Sequence, residues 1–273
     1  APMVSIIITT YYRNDDLRQA IESTLNQSYD PIEIIVVDDS GENHAEEVIK
    51  DYNVNYLPKE QNQGQISAWN TGFSESNGEL IQFLDDDDQL EKTKIEQQVS
   101  KHKLDGEIGV VYTGIKWEDG KKILPDPELS GYILKQVLTL STSPCVTSTM
   151  LIKRKIIKNI YPIPKYSAAT DDVLKIELAQ HTQFDFIDDV LVTRGKNDDN
   201  VPSINKVNSW KEIIIDYNYL YEKYEKKVYQ KAIAHMYHTE GRWLLKDNIC
   251  SIKGRLYLLR SIYVSPKITK GML

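Results

Sequence analysis

No apolar run in the 273 residues approaches the roughly 18 to 20 positions a helix needs to cross a bilayer, which gives no membrane span to expect. Cysteine is almost missing. Cys145 and Cys250 are too few and too far apart for a disulfide framework or a zinc site, and buried apolar thiols are the expectation. Two phosphate-binding signatures are absent as well: neither G-x-G-x-x-G nor G-x-x-x-x-G-K-[ST] occurs, so any nucleotide is held differently. Basic residues are outnumbered, 33 against 40 acidic, and the imbalance is uneven. Residues 1–205 carry 20 basic and 34 acidic side chains, whereas 206–273 carry 13 and 6. An acidic body argues against nucleic acid as a ligand. No basic, apolar leader opens the sequence, and a cytoplasmic location is expected.

What is present is an alternation of strands and helices. Val4 to Thr9 is a β-branched run, and Asn14, Asp15 and Asp16 offer N-cap oxygens before the stripe Leu17, Ala20, Ile21, Thr24, Leu25. Glu33 to Asp38 is a second apolar strand, followed by a helix carrying Ala45, Val48, Ile49 and Tyr52 on one face. A short strand near Asn55 to Leu57 follows, then a helix after Gly64 with Ile66, Trp69 and Phe73, the strand Glu79 to Leu84, and a helix from about Glu91 to Leu104. Strands apolar on both faces predict a parallel sheet flanked by helices, a Rossmann-like α/β fold. Residues 1–205 read as one domain with halves 1–105 and 106–205, and 206–273 as a helical C-terminal extension.

In such a sheet, ligands bind outside the carboxyl ends of the strands. Polar residues gather there: Thr9 to Arg13 end the first strand, Asp38 and Asp39 the second, and Asp85-Asp86-Asp87-Asp88 the strand from Glu79. Two unit charges about 4 Å apart repel by roughly 1 to 4 kcal/mol, so four adjacent carboxylates ask for a cation. Hard oxygen ligands suit Mg²⁺ or Mn²⁺ bound with substrate phosphates. An acidic run at a solvated turn is the plainer alternative.

At this point the residues resemble a known family, the inverting family 2 of nucleotide-sugar glycosyltransferases with the GT-A fold. The likeness rests on Val4 to Tyr11, Ala20 to Tyr29, Glu33 to Ser40, Asn62-Gln63-Gly64, Ala68-Trp69-Asn70-Thr71-Gly72, Gly78 to Leu84 and the acidic run, in the family's order. It is close over the first 105 residues and weaker to about 205. The resemblance implies that Thr9 and Tyr11 line the base, Asp39 holds its edge, and Arg13 helps at the phosphates. Asn70 belongs to the donor-side segment. Asp85 would stand near ribose and metal, Asp86 beside it, and Asp87 as the direct metal ligand, with Asp88 flanking. A UDP-sugar is the favoured donor, with GDP and TDP open, and a glycan or lipid-linked glycan the acceptor.

Inverting transfer needs a base for the acceptor hydroxyl. In Ala168 to Asp172, before a helix bearing Leu174 and Leu178, the resemblance makes Asp171 the base and Asp172 the near alternative; capping of that helix is the other use of Asp171. Three positions depart from the family. Trp69 and Glu177 replace common arginines, and Arg194 lacks the histidine that often follows, with Lys196 a substitute cation. His235 and His238 lie one turn apart without an evident third ligand and read as a surface or interface pair. Ile252 to Ile268 interleaves Lys253, Arg255, Arg260 and Lys267 with apolar residues, which suits peripheral contact with the inner face of the cell membrane or a docking helix. Two other functions fit such a fold: a catalytically silent nucleotide- or glycan-binding domain, and a sugar nucleotidyltransferase, which would need a glycine-rich basic loop that Thr9 to Arg13 lacks.

Overall fold

The computed structural model describes residues 1–195 and 203–265, which form two compact units. The first comprises Ala1–Ile133, Ser143–Lys165 and Glu177–Lys196, and the second Leu134–Thr142, Tyr166–Ile176 and Asn197–Leu273.

The first unit is built on one nine-stranded sheet. Strands β1 (Val4–Thr10), β2 (Ile32–Asp38), β3 (Asn55–Pro58) and β4 (Leu80–Asp85) run parallel in the order β3-β2-β1-β4. Every residue of β1 is buried, as the unbroken apolar run requires of a strand covered on both faces. Register sets the site: Thr9 lies beside Asp85, and Thr10 beside Asp38, so the polar ends of three strands share one rim. Beyond β4 the sheet becomes mixed. It continues through β8 (Leu151–Lys153), β6 (Ile108–Trp117), β9 (Gln183–Arg194) and the two-residue β5 (Gln89–Leu90), with β7 (Lys122–Ile123) paired to β6.

Helices α1 (Asn14–Leu25), α2 (Glu46–Ile49), α3 (Gln65–Glu75), α4 (Lys94–Leu104) and α6 (Arg154–Ile160) also belong to this unit. α1 buries Leu17, Ala20, Ile21 and Thr24, but its expected side-chain cap is absent: Arg13 is the N-cap residue and no side-chain bond closes it. Asp15 and Asp16 lie in the first turn, where they favour the positive end of the helix dipole. α2 is shorter than its apolar stripe suggests, because the carboxylate of Asp38 takes the backbone N–H of Ala45 at 2.9 Å and fixes the preceding loop. α4 begins at Lys94 rather than Glu91; residues 89–90 pair with β9, and Glu91 N–H donates to Leu191 O at 2.9 Å. In α3, a Cβ on Gly72 would stand 2.3 Å from Ile7 Cγ2, so only glycine allows this helix to approach β1 so closely.

The second unit contains α5 (Leu134–Val137), the start of α7 (Thr170–Ala179), α8 (Ile204–Asp216), α9 (Asn218–Tyr221), α10 (Lys226–Asp247) and α11 (Ile252–Val264). The expected helical extension is present, yet the compact units do not divide at 205/206. Trp210 Nε1–H donates to Asp172 at 2.8 Å and Tyr221 O–H to Leu138 O at 2.7 Å, which ties 134–142 and 166–176 to the C-terminal helices. α10 and α11 meet at two glycines, where a Cβ on Gly241 would lie 2.9 Å from Gly254 O. The histidine pair is packed inward: His238 is buried, and the His235 ring lies 4.9 Å from that of Trp210. Burial lowers the His235 pKa to about 4, so the imidazole is neutral at pH 7.

Candidate active site

At the rim defined by β1, β2 and β4 lies a cavity of about 270 Å³. Thr9, Tyr11, Arg13, Asp39 and Asp85, five of the residues expected to meet a donor, line it together with Gly64 and Gln65 from the entry to α3. Tyr11 and Tyr12 stand at its edge, 51% and 41% exposed, with their rings 4.7 Å apart and nearly perpendicular. Exposed aromatic faces of this kind suit stacking on a planar base. Tyr12 adopts a positive φ of 58°, a conformation costing a bulky residue of order 1 kcal/mol or more, at the point where the chain turns from strand into α1.

Adjacent aspartates after β2 divide the work. Asp38 accepts from Ser40 N–H and Ala45 N–H at 2.9 Å each and from Tyr56 O–H at 2.8 Å. Burial opposes its ionised form, but these donors outweigh that and hold its pKa below 3.8. Asp39 faces the cavity. Its carboxylate pairs with Lys59 at 2.6 Å and accepts from Gln63 N–H at 3.1 Å and Gly64 N–H at 2.7 Å. Gln63 N–H also reaches the second oxygen at 3.2 Å, so these three donors orient Asp39 through both of its oxygens. Lys59 and Gln65 were not anticipated; Gln65 donates to Asp85 Oδ1 at 2.6 Å.

The acidic turn splits in two. Asp85, Asp87 and Asp88 each bring an oxygen within 4.8 Å of the others, whereas Asp86 lies outside that set and is fully buried. Asp86, expected beside the donor, instead holds Arg13: its Oδ1 lies 2.6 Å from Nη2, and Tyr11 N–H donates to Oδ2 at 3.4 Å. Residues 85–88 form a tight turn closed by Asp88 N–H donating to Asp85 O at 3.1 Å, and within it Asp86 is the buried residue. Arg13 also reaches Asp87 at 2.8 Å, so the guanidinium expected at phosphates here bridges two carboxylates. The pairing of β5 with β9 returns Arg194 and Gly195 to the turn, with Arg194 Nε 3.8 Å from Asp88 and Gly195 N–H donating to it at 3.3 Å. A Cβ on Gly195 would stand 2.3 Å from Asp87 O, which leaves glycine as the residue that fits. Burial raises Asp86 and Asp88 to about 6, against the lowering effects of Arg13 and Arg194. The cluster is therefore short of positive charge even with both arginines in place. Three converging carboxylates are a hard-oxygen donor set of the kind that takes Mg²⁺ or Mn²⁺. Asp88 belongs in that set, where the run of four aspartates suggested only a flanking residue.

One expected contact is used elsewhere. Asn70 does not line the cavity: its amide donates to Ile163 O at 3.1 Å and accepts from Ile163 N–H at 2.9 Å, clamping two segments of the first unit. Trp69 is fully buried and stacks on Phe83 at 5.3 Å, so its ring fills the space between α3 and β4. Lys196 lies outside the described residues.

In the second unit, Asp171 and Asp172 occupy the first turn of α7. Asp172 is buried and committed, with Trp210 at 2.8 Å, Lys175 at 3.3 Å and Lys206 at 3.7 Å. Burial disfavours its charge, but the two lysines and the indole outweigh it and lower the pKa. That occupation removes Asp172 from consideration as a base. Asp171 is partly exposed. Ala169, just ahead, has a φ of 56°, a left-handed conformation unusual for a residue with a Cβ.

A mixed α/β sheet flanked by helices, with an acidic turn at the carboxyl end of a parallel strand, is the GT-A fold of glycosyltransferases. The glycosyl transferase family 2 profile matches residues 5–161, and the chain belongs to that family. An uncharacterized glycosyltransferase of Rickettsia typhi is 36% identical over 173 residues, 59% of this chain and 53% of that protein. The match thus spans about half the length of that relative. An uncharacterized glycosyltransferase of Methanocaldococcus jannaschii is 27% identical over 260 residues, 89% of this chain and 84% of that protein. Among solved structures, S. aureus TarS 1–349 in complex with UDP-GlcNAc is similar with a TM-score of 0.69 at 14% identity, over 95% of this chain and 79% of that one. Mannosyltransferase PcManGT from Pyrobaculum calidifontis, in complex with GDP-Man and Mn²⁺, gives 0.55 at 15% identity over 96% and 70%. At these identities the structural likeness is one of fold.

Proposed function

We propose that the chain transfers a sugar from a nucleoside-diphosphate sugar, a UDP-sugar in the first place, to a hydroxyl of a glycan or lipid-linked glycan with inversion at the anomeric carbon. The observation that carries the reading is the meeting of Thr9, Tyr11, Asp39 and Asp85 in one cavity at the rim where Asp87 and Asp88 complete an acidic cluster. Support comes from the neighbours of like fold, one holding UDP-GlcNAc and the other GDP-Man with Mn²⁺.

Tyr11 offers the base a ring to stack on, and Asp39, oriented by Lys59, Gln63 and Gly64, meets an N–H on the base edge. Asp85, Asp87 and Asp88 would hold Mg²⁺ or Mn²⁺, which would supply positive charge for a departing diphosphate. Arg13 and Arg194 set the charge and position of those carboxylates. Asp171 takes the proton of the acceptor hydroxyl as its oxygen forms the new bond to the anomeric carbon and the bond to the diphosphate breaks. Its partial exposure suits that task, and the burial of its neighbour singles it out.

We place the reaction in the cytoplasm, at the inner face of the cell membrane. The support is α11, which leaves Ile252, Leu256 and Leu259 at 75%, 50% and 62% exposure among Lys253, Arg255 and Arg260, the composition of an interfacial helix. Lys267 lies outside the described residues.

Thermal shift with UDP, GDP, TDP and CMP, each with and without Mn²⁺, tests the donor site through binding linkage. One nucleoside diphosphate should raise the melting temperature only with metal, and Asp87→Ala should erase the rise. An identical shift in wild type and variant would refute the metal-assisted site. Asp171→Asn should keep the shift and lose transfer; unimpaired transfer would remove Asp171 as the base.

A further inference from the structure

A second charged cavity lies in the first unit, at the opposite end of β4. It measures about 420 Å³, and its cationic wall is Lys103 at the end of α4 with Lys153, Arg154, Lys155 and Lys158 from β8 and α6. Among the described residues, none of these five makes an ion pair with a carboxylate. The two partly buried cations lean on neutral acceptors: Lys153 on Gly106 O at 2.9 Å, and Arg154 on Ser76 Oγ at 2.6 Å and Gly78 O. Burial and then the field of Lys155 lower the Lys153 pKa, as expected where like charges are crowded together. The acids nearby are Glu79, which is exposed in the wall, Asp105 and Glu107, which act on Lys153 from the loop after α4, and Glu33, which acts on Arg154.

The floor is apolar, made by Leu80 of β4 and Val99 of α4, both buried. Uncompensated cations alone would suit any phosphate. An apolar floor adds nothing for an inorganic ion, but it matches a phosphate that carries hydrocarbon.

We propose that this groove is a second ligand site, which takes the phosphate headgroup of an anionic lipid, the five cations around the phosphate and the floor of Leu80 and Val99 against its apolar part. Leu80 opens β4 and Asp85 closes it, and six strand residues span about 17 to 20 Å. A lipid in the groove therefore stands apart from the acidic turn and is a docking contact rather than the acceptor. This inference holds whether or not the transfer reaction is as proposed.

The test is vesicle flotation with phosphatidylcholine alone and with an equal mixture of phosphatidylcholine and phosphatidylglycerol. Wild type should prefer the mixture, more strongly at low salt. Neutralising the three exposed cations together, Lys103→Gln, Lys155→Gln and Lys158→Gln, should weaken binding to the mixture about a hundredfold. The matching α11 variant, Lys253→Gln, Arg255→Gln and Arg260→Gln, should weaken binding less than the groove variant and keep the preference for the mixture, because Lys253 and Arg260 fold over the Tyr257 ring at 5.5 and 5.7 Å. Equal binding to both vesicles, or loss of the preference in the α11 variant alone, would overturn the assignment. So would inorganic phosphate displacing the vesicles as completely as the triple substitution, which would make the groove a free-phosphate site. The groove variant should retain the nucleotide-dependent thermal shift, which separates failure of docking from failure of the donor site.

Discussion

Two pairs of neighbouring aspartates, Asp86-Asp87 in the first unit and Asp171-Asp172 in the second, use one device with opposite electrostatic results. In each, one carboxylate is buried on a cation while its neighbour stays nearer the surface. Asp86 is buried against an arginine whose side chain is 45% exposed, and burial wins, raising its pKa to about 6. Asp172 is buried against two lysines and an indole N–H, and there the partners win, lowering its pKa. One cluster remains short of positive charge and the other is already neutralised. A buried aspartate thus marks a place for an external cation only where the fold leaves its charge incompletely answered.

Removing the carboxylate that faces outward should produce the largest effect. Asp87→Ala is expected to lower the transfer rate at saturating donor by about a hundredfold or more, the scale of several kcal/mol of lost charge stabilisation. The same change should leave the melting temperature level or higher, since it relieves repulsion among like charges. Initial rates and a thermal melt on one preparation check both, and a fall in rate matched by a fall in stability would count against a direct role.

Exchanging the buried members tests the comparison itself. Asp172→Ala leaves Lys175 buried without its anion, and the expected loss is about 3 to 5 kcal/mol. Asp86→Asn removes a charge that burial already disfavours and should cost about 1 kcal/mol or less, because Arg13 keeps Asp87 and reaches solvent. Urea denaturation gives both numbers. Equal losses would erase the distinction between the two anchors.

Much of this was legible in the chain and some was not, for reasons of scale. The unbroken apolar runs of β1, β2 and β4 announce strands covered on both faces, and the polar ends of those runs do share a rim. Ile66, Trp69 and Phe73 recur at helical spacing, and that local pattern correctly makes Trp69 a core residue, against the phosphate-side place suggested by family likeness. Asp88 and Gly195 were hidden because their roles depend on a two-residue strand pairing with β9, about a hundred positions away. The second unit joins Leu138 to Tyr221 and Asp172 to Trp210, contacts with no local signature.

Lys94 extends the comparison to a buried cation that has no carboxylate at all. It is fully buried, donates to Gln98 Oε1 at 2.7 Å and to Gln82 Oε1, and burial holds its pKa well below 10.5. The unfolded chain binds this proton at pH values where the fold does not. Stability should therefore rise with pH from the depressed folded value up to 10.5, by at most about 1.4 kcal/mol per pH unit. Lys94→Met should flatten that slope while keeping the fold, and an unchanged slope in urea titrations at pH 7 to about 9 would show that Lys94 keeps its charge inside.

The smallest expected effect concerns the backbone beside each pair. Tyr12 precedes Arg13 at φ 58°, and Ala169 lies three residues before Asp172 at φ 56°, so both buried carboxylates are served by a left-handed residue that is not glycine. The Ala169 carbonyl accepts from Asp172 N–H at 3.0 Å and Val173 N–H at 3.2 Å, and the unusual turn is what starts α7 with Asp171 and Asp172 in its first turn. Ala169→Gly should relieve about 1 to 2 kcal/mol of steric strain and return about 0.4 to 1 kcal/mol through the freer unfolded chain. The net gain is a few tenths to about 1 kcal/mol, or roughly 1 to 4 °C in Tm. Tyr12→Gly should not gain, since it also removes ring contacts with Tyr11 and His44, each at 4.7 Å. If both glycine variants stabilise equally, the tyrosine ring contributes nothing to holding the rim, and the strain at residue 12 belongs to the backbone path alone.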